Sequence, residues 1–357
     1  MNKIPADPLR AALMCATMLA SISGYAAPPT YGAVEIAPLS GDVRTFPLSI
    51  NDRGEVVGYS QPIVGNSAIR RAFLWRDGET RDLGNLGGPR SVATGINASG
   101  RVVGYSSHAD HSDGAFVWWK GTLTELPGLS GGAAAYGVNA RGMVAGESRS
   151  TPDSPVIATL WQSGAPVALG SLGGSSSSAA AINARGQVVG YSLTADDAEV
   201  HAFSWFHGAF TDFGTLGGSY ALAVAVNDNG VAAGFSAAPG DFNERGFVTQ
   251  GGALVDIGSL GGDDTNAYWL NNCGDVVGIS ATATGRLRAF LYRDNQMFNL
   301  NDLMDAASQA RWILVQALAI NNHGQIVVDA GDRLAPPRRI GVVLSPVAPY
   351  SCALPDE

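Results

Sequence analysis

Two short stretches hold residues whose types could do chemistry. His108-Ala109-Asp110-His111-Ser112-Asp113 packs two imidazoles and two carboxylates into six positions. His108, Asp110, His111 and Asp113 together offer the nitrogen and oxygen donors that zinc or another divalent ion takes. The competing reading is a solvated polar loop, since a flexible loop fixes ligand geometry poorly and no other part of the chain offers a matching set. Gly128-Leu129-Ser130-Gly131-Gly132 matches the G-x-S-x-G pattern of a nucleophile elbow, which needs a strand–turn–helix setting. What positions these residues is a repeat.

The phrase aliphatic-Asn-x-x-Gly recurs with its Asn at 51, 97, 139, 183, 227, 271 and 321, which marks seven units. Each Gly opens a β-rich stretch, as in GEVVGYS (54–60), GRVVGYS (100–106) and GQVVGYS (186–192). A variable loop follows, then AFLW (72–75), AFVW (115–118), ATLW (158–161) or AFSW (202–205). A turn such as Asp77-Gly78 or Lys120-Gly121 leads to a closing phrase, DLGNLGG (82–88) or DFGTLGG (212–218). Each unit therefore reads as four short strands, A to D. Asn can bond its own backbone and Gly takes positive φ, so Asn-x-x-Gly is the A–B turn. The same turn reading stands against a calcium loop at Asn227-Asp228-Asn229-Gly230, which lacks the alternating carboxylates of an EF-hand. Asn97-Ala98-Ser99 is a glycosylation sequon by pattern, in that same turn.

Four strands in about 44 residues is the size of a propeller blade. Four positions before each Asn stand Pro47, Ala93, Ala135, Ala179, Ala223, Ala267 and Ala317. Innermost strands crowding toward one axis would demand such small side chains. The seventh unit stops without its D phrase, and VEIAPLSG (34–41) reads like DLGNLGG. Residues 32–41 can thus complete the last blade and leave no open edge. The expectation is one all-β, seven-bladed propeller of four-stranded blades over residues 27–357, closed by its N-terminal strand. Only 301–318 hints at helical periodicity. In this setting Ser130 falls in a D–A loop followed by another strand, which argues against a nucleophile, and no catalytic residue is assigned. Trp75, Trp118, Trp161 and Trp205 recur on strand C, where inter-blade core is favoured over a sugar-stacking platform.

The combined pattern A-x-x-I-N-x-x-G-x-V-V-G-Y-S, H-A-F-x-W and L-G-x-L-G-G resembles the HAF-type extracellular repeat of bacterial exported proteins. His201-Ala202-Phe203 is the one literal match to its name; Arg71, Gly114, Arg245 and Arg288 replace the His elsewhere, and Ile157-Ala158-Thr159 departs further. The resemblance implies an exported repeat protein of unassigned activity and carries no catalytic residues.

The first 26 residues read as an address. Lys3 and Arg10 precede an apolar run over 11–22, and Gly24-Tyr25-Ala26 places cleavage after Ala26. A membrane anchor would need about 20 apolar residues, and Cys15 lacks the small residues that precede a lipid anchor. No later stretch approaches that length, so no membrane insertion of the mature chain is expected, in the periplasm or outside the cell. Removing Lys3, Arg10 and Asp7 changes 22 basic and 31 acidic residues to 20 and 30. That balance excludes a nucleic-acid partner, which would need a basic footprint. Gly makes up 46 of 357 residues, and charged residues 15%; so apolar a chain has a core to bury and is not disordered. Cys273 and Cys352 remain after cleavage, and an even count in an exported chain predicts a disulfide, with two unpaired thiols as the alternative.

Variable loops on a rigid scaffold are where binding resides. The B–C loops vary most and share a face with the D–A loops, which bring Arg90, Tyr220, Asp263 and Asp264 just after the LGG turns. That face is the predicted binding face, and the A–B face is given no role beyond its turns. Function is expected to be that of a monomeric, non-enzymatic scaffold for a protein, glycan or small-molecule ligand, without a cofactor. A propeller hydrolase or lyase with its site at the channel mouth, and a structural envelope or matrix component, are the alternatives.

Overall fold

The computed structural model describes residues 28–62, 69–334 and 338–350. The leader predicted over 1–26 and Cys352 lie outside them. Seven four-stranded antiparallel sheets follow one another around an axis, each in the order A-B-C-D. Blade four shows the plan: Gly173–Ile182, Val188–Thr194, Val200–Phe206 and Ala209–Gly214. Blade seven takes Trp312–Ile320, Ile326–Asp332 and Arg339–Pro346 from the C-terminal part and Tyr31–Glu35 from the N-terminal part. Tyr31 pairs with Pro346 and Glu35 with Val342. Ile36 N–H then bonds Gly341 O at 2.9 Å, just as Leu83 N–H bonds Ala72 O in blade one. The closing strand is thus shorter than residues 32–41, with Ile36 and Leu39 turned into the core between blades seven and one.

The helical hint over 301–318 resolves into a 3-10 turn, Leu300–Leu303, and a helix of six residues, Ala306–Arg311. Asp305 caps that helix by accepting Ser308 N–H at 2.7 Å, and the apolar run WILVQALAI then becomes strand A of blade seven. The helix holds the closing strand: Asp305 N–H bonds Tyr31 O, and Ala33 N–H bonds Ser308 Oγ at 3.0 Å.

Small residues sit where crowding requires them. Ala93, Ala135, Ala179, Ala223, Ala267 and Ala317 are all fully buried. At Gly104, in the middle of GRVVGYS, a Cβ would lie 1.9 Å from Val92 O on strand A, so any side chain there would push the two inner strands apart. Phe73, Phe116, Phe203, Phe247 and Phe290 fill the gaps between blades. Trp75, Trp118 and Trp161 are buried with them, while Trp205 packs half-buried against the blade-four core.

Two sets of hydrogen bonds join each blade to the next. The Oδ1 of Asn183 accepts Arg185 N–H and Gln187 N–H, closing its own turn, while its Nδ2 donates to Asn227 O at 3.0 Å in the following blade. The same donation runs from Asn51 to Asn97, then to Asn139, Asn183, Asn227, Asn271 and Asn321. Asn321 returns it to Asn51, so the ring is unbroken. At the other end of the strands, at six of the seven junctions, the N–H of the Leu in the closing phrase reaches the strand-B Ser of the next blade. Leu39–Ser60, Leu86–Ser106, Leu129–Ser148, Leu172–Ser192, Leu216–Ser236 and Leu260–Ser280 are all paired at 2.8–3.2 Å. Turn chemistry alone therefore does not account for the repeated Asn. It is a turn residue and an inter-blade bolt at once.

Candidate functional site

The B–C and D–A loops surround one mouth of the channel. Just below the rim, strand A and strand B of every blade present one register pair: Phe46/Tyr59, Val92/Tyr105, Ala134/Glu147, Ser178/Tyr191, Leu222/Phe235, Asn266/Ile279 and Gln316/Asp329. Each strand A also bulges between the buried small residue and the one two places on, which frees an extra inner residue. Those bulges hold Tyr136 in blade three and Tyr268 in blade six. Tyr59, Tyr105, Tyr136, Tyr191 and Tyr268, with Phe46 and Phe235, make the funnel aromatic. Phe46 stacks on Tyr59 with centroids 4.8 Å apart, and Phe235 meets Tyr268 edge-on at 6.5 Å.

Charged groups stand among the rings. Burial, then the charge and hydrogen bond of Glu147, raises the Tyr136 hydroxyl far above the ordinary phenol range. Tyr136 is thus a fixed donor to Glu147 at any physiological pH. Burial likewise raises Tyr59, Tyr191 and Tyr268. Arg44 lies 3.7 Å over Phe46 and Arg70 lies 4.8 Å over Tyr59. In blade seven the tyrosine position is Asp329, held by Arg339 and, at 3.5 Å, by Arg44 and Gln316. Its burial raises the carboxyl pKa against the pull of those arginines. Glu244 accepts from Tyr220 Oη at 2.6 Å and from Asn266 Nδ2 at 2.7 Å. The hydrogen bond to Glu244 is the main reason the Tyr220 phenol is pushed up to about 12.

Two clefts open from the rim between blades. One of about 580 Å³ lies between blades four and five, bounded by Tyr191, Leu193, Glu199, Tyr220 and Leu222. A smaller one of about 270 Å³ lies between blades two and three, bounded by Asp113, Glu147, Arg149 and Pro152. The first falls within the usual range of ligand sites, roughly 300–1,000 Å³.

The residues predicted from sequence are distributed differently from their grouping there. Arg90 and Asp113, assigned to separate sites, form an ion pair in which Arg90 Nη2 donates to both carboxylate oxygens, at 2.6 and 2.7 Å. Tyr220 and Asp264 do come together, because Asp264 Oδ1 accepts Glu244 N–H at 3.1 Å. Asp263 is exposed at the start of Gly261–Leu270 and takes no part in this cluster. The metal candidates have other partners: His108 bonds Ser112 and Glu125, Asp110 accepts from the same Ser112 hydroxyl, Asp113 pairs with Arg90, and His111 is exposed. Among the described residues no group of three His, Cys, Asp or Glu side chains is arranged to hold a metal ion. Ser130 sits in the D–A loop of blade two, with strand Ala133–Val138 after it in place of a helix.

Two further loop acids have a role in folding. Asp197 accepts Ser175 N–H at 2.7 Å, and Asp241 accepts Ser219 N–H at 2.7 Å, each tying a B–C loop to a D–A loop of the adjacent blade boundary. The inward tyrosines were hidden in the GYS phrase, whose alternation shows that Tyr opposes the core face without showing that the face is a channel. Tyr136 and Tyr268 depend on the bulges, for which the sequence has no turn-like signal.

No family model and no curated protein matches the chain. Solved structures do. The β-propeller domain of the trilobed protease from Pyrococcus furiosus aligns with a TM-score of 0.54 at 8% identity, covering 83% of this chain and 98% of that one. The likeness is one of fold. A puromycin-hydrolysing peptidase from Mycobacterium tuberculosis (TM-score 0.49, 14% identity, 86% of this chain and 52% of that one) is a more distant match. TolB from Acinetobacter baumannii (0.42, 9%, 60% and 52%) is another. The chain spans about half the length of these last two. No helix among the described residues is long and apolar enough to cross a membrane.

Proposed function

We propose that the chain is an exported binding scaffold of the HAF-repeat type, and that its tyrosine-lined funnel takes a small ligand rich in hydrogen-bond donors, the chemistry of a sugar or an amine. The observation that carries this reading is the ring of inward tyrosines contributed by separate blades, with Glu147 and Glu244 among them. Aromatic faces supply stacking area at low entropic cost, and carboxylates accept from hydroxyl or ammonium groups. The clefts beside Tyr191 and Glu147 extend the same surface outward. The apolar leader pattern over 1–26 supports export.

Titration calorimetry of the mature protein against a panel of neutral sugars, amino sugars and polyamines tests it. A ligand should emerge whose binding weakens about tenfold or more in Glu147→Gln and in Tyr136→Phe, with melting temperature held. A ligand whose affinity is unchanged in both variants would show that the funnel is not the site.

A further inference from the structure

The opposite rim, built from the A–B and C–D turns, carries a groove of about 680 Å³ between blades one and two. Trp118, Trp119 and Lys120 line it from blade two, and Arg53, Arg76 and Arg81 from blade one. The Arg81 guanidinium lies 5.2 Å from the centre of the Trp118 ring. Arg101 and Lys120 lie 5.3 and 5.4 Å from the centre of the Trp119 ring. Glu55 is engaged by Arg53 at 2.8 Å and by Arg76 at 3.6 Å, and Asp77 by Arg76 at 3.2 Å. Arg81, Arg101 and Lys120 have no carboxylate partner among the described residues, and Glu79 is the one groove acid left to offset them.

Neither feature follows from the repeat. Trp118 holds the position that Trp75, Trp161 and Trp205 hold in other blades, but Trp119 is one residue further along strand C. Register pairing puts Arg76, Gln162, Phe206, Gln250 and Arg293 at the equivalent place. Composition does not explain it either, because 31 acidic residues outnumber 22 basic ones and Lys120 is the only lysine after Lys3. A half-buried indole with cations beside it, on a protein of net charge -9, is a local arrangement that suits one kind of ligand.

We propose that this groove binds an acidic polysaccharide, with a sugar ring stacked on Trp119 and uronate carboxylates paired with Arg81 and Lys120. Guanidinium and ammonium groups bond carboxylates through short, charge-assisted hydrogen bonds, and the ring face offers apolar C–H groups to the indole.

Affinity electrophoresis through gels containing polygalacturonate, dextran or poly(dT), with calorimetry on polygalacturonate, tests the assignment. Retardation is expected in polygalacturonate and not in dextran or poly(dT). The double variant Arg81→Gln/Lys120→Gln, at two exposed positions, should bind at least tenfold more weakly at unchanged melting temperature. Trp119→Ala should also weaken binding, whereas Arg286→Gln on the far rim should not. Absence of retardation in polygalacturonate overturns the proposal, as does retardation that survives both the charge and the indole variants. Equal retardation by poly(dT) overturns the polysaccharide assignment in favour of unselective polyanion binding.

Discussion

The Nδ2 of Asn321 donates to the backbone carbonyl of Asn51 at 2.9 Å, across 270 residues of sequence. This bond completes the seven-membered ring of Asn-to-backbone contacts at the same blade junction that the N-terminal strand closes from outside. Ring closure is therefore made twice, by an inner bolt and an outer strand.

The bolt can be separated from the turn. Asn183→Ala removes two acceptor contacts and two donor contacts, of which the one to Asn227 O is buried, and should cost about 2–4 kcal/mol. Asn183→Asp retains the acceptor contacts to Arg185 and Gln187 but sets a carboxylate against Asn227 O. Chemical denaturation should find both variants clearly less stable than the parent. An Asn183→Asp protein as stable as the parent would mean that the inter-blade bond contributes nothing.

The outer strand should matter as much. Ile36→Ala vacates a fully buried position between blades seven and one and should cost about 2–5 kcal/mol. A chain starting at residue 42 lacks the strand entirely, leaving Arg339–Pro346 as a bare edge. Calorimetry should show loss of the cooperative transition or a much lower melting temperature; melting equal to that of a chain starting at residue 28 would contradict the closure.

His201 gives a pH signature. Burial lowers its pKa, but hydrogen bonds to Asp212 and Glu199, both at 2.9 Å, and their charges outweigh burial and raise it. A raised folded-state value means that protonation stabilises the fold below the unfolded pKa of about 6.5, and that this contribution disappears as pH rises through the folded value. The parent should therefore lose about 1 °C of melting temperature relative to His201→Gln on going from pH 5.5 to pH 8.5. Parallel melting curves for the two proteins across that range would remove His201 as the cause.

Cys273 lies in the A–B turn of blade six, and the C-terminal tail returns to that turn. Tyr350 bonds Asn271 Nδ2 at 3.1 Å and also Asp275, and its ring lies 4.4 Å beneath Arg293. Cys352 is two residues further on. A bridge from Cys273 to Cys352 would close a loop of 79 residues and stabilise by roughly 4 kcal/mol. Thiol labelling of the unfolded, unreduced mature protein should find no free thiol, and two labelled thiols would refute the pairing.

The repeat made the architecture legible because a period of about 44 residues, punctuated by Asn-x-x-Gly, fixes strand count and phase. Ala93 and its counterparts even indicated which strand is innermost. What stayed hidden were contacts between units. The period shows that Asn183 recurs, and its turn role is enough to explain an Asn, so the donation to Asn227 O leaves no separate trace. Ser192 and Leu172 read as strand and turn residues for the same reason. At the candidate site, Tyr220 and Asp264 were found because they follow a recognisable turn. Tyr136 and Tyr268 were missed because the bulges that free them leave no signal in the sequence. Sequence grouped Asp113 with the loop histidines and had no way to show its pairing with Arg90, 23 residues earlier.

Every bolt in the Asn ring ends on a main-chain oxygen, never on a neighbour's side chain. A blade therefore asks of the blade it joins only features that recur: the Asn-x-x-Gly turn, the strand-B Ser at six junctions, and at four an Asp or Asn directly after the turn Asn. Such joints are interchangeable: a unit can be duplicated, exchanged with its neighbour or altered in its outer loops without a matching change next door. That tolerance lets one chain present seven differently furnished rims on a single frame, and it makes the frame a convenient substrate for shuffling blades.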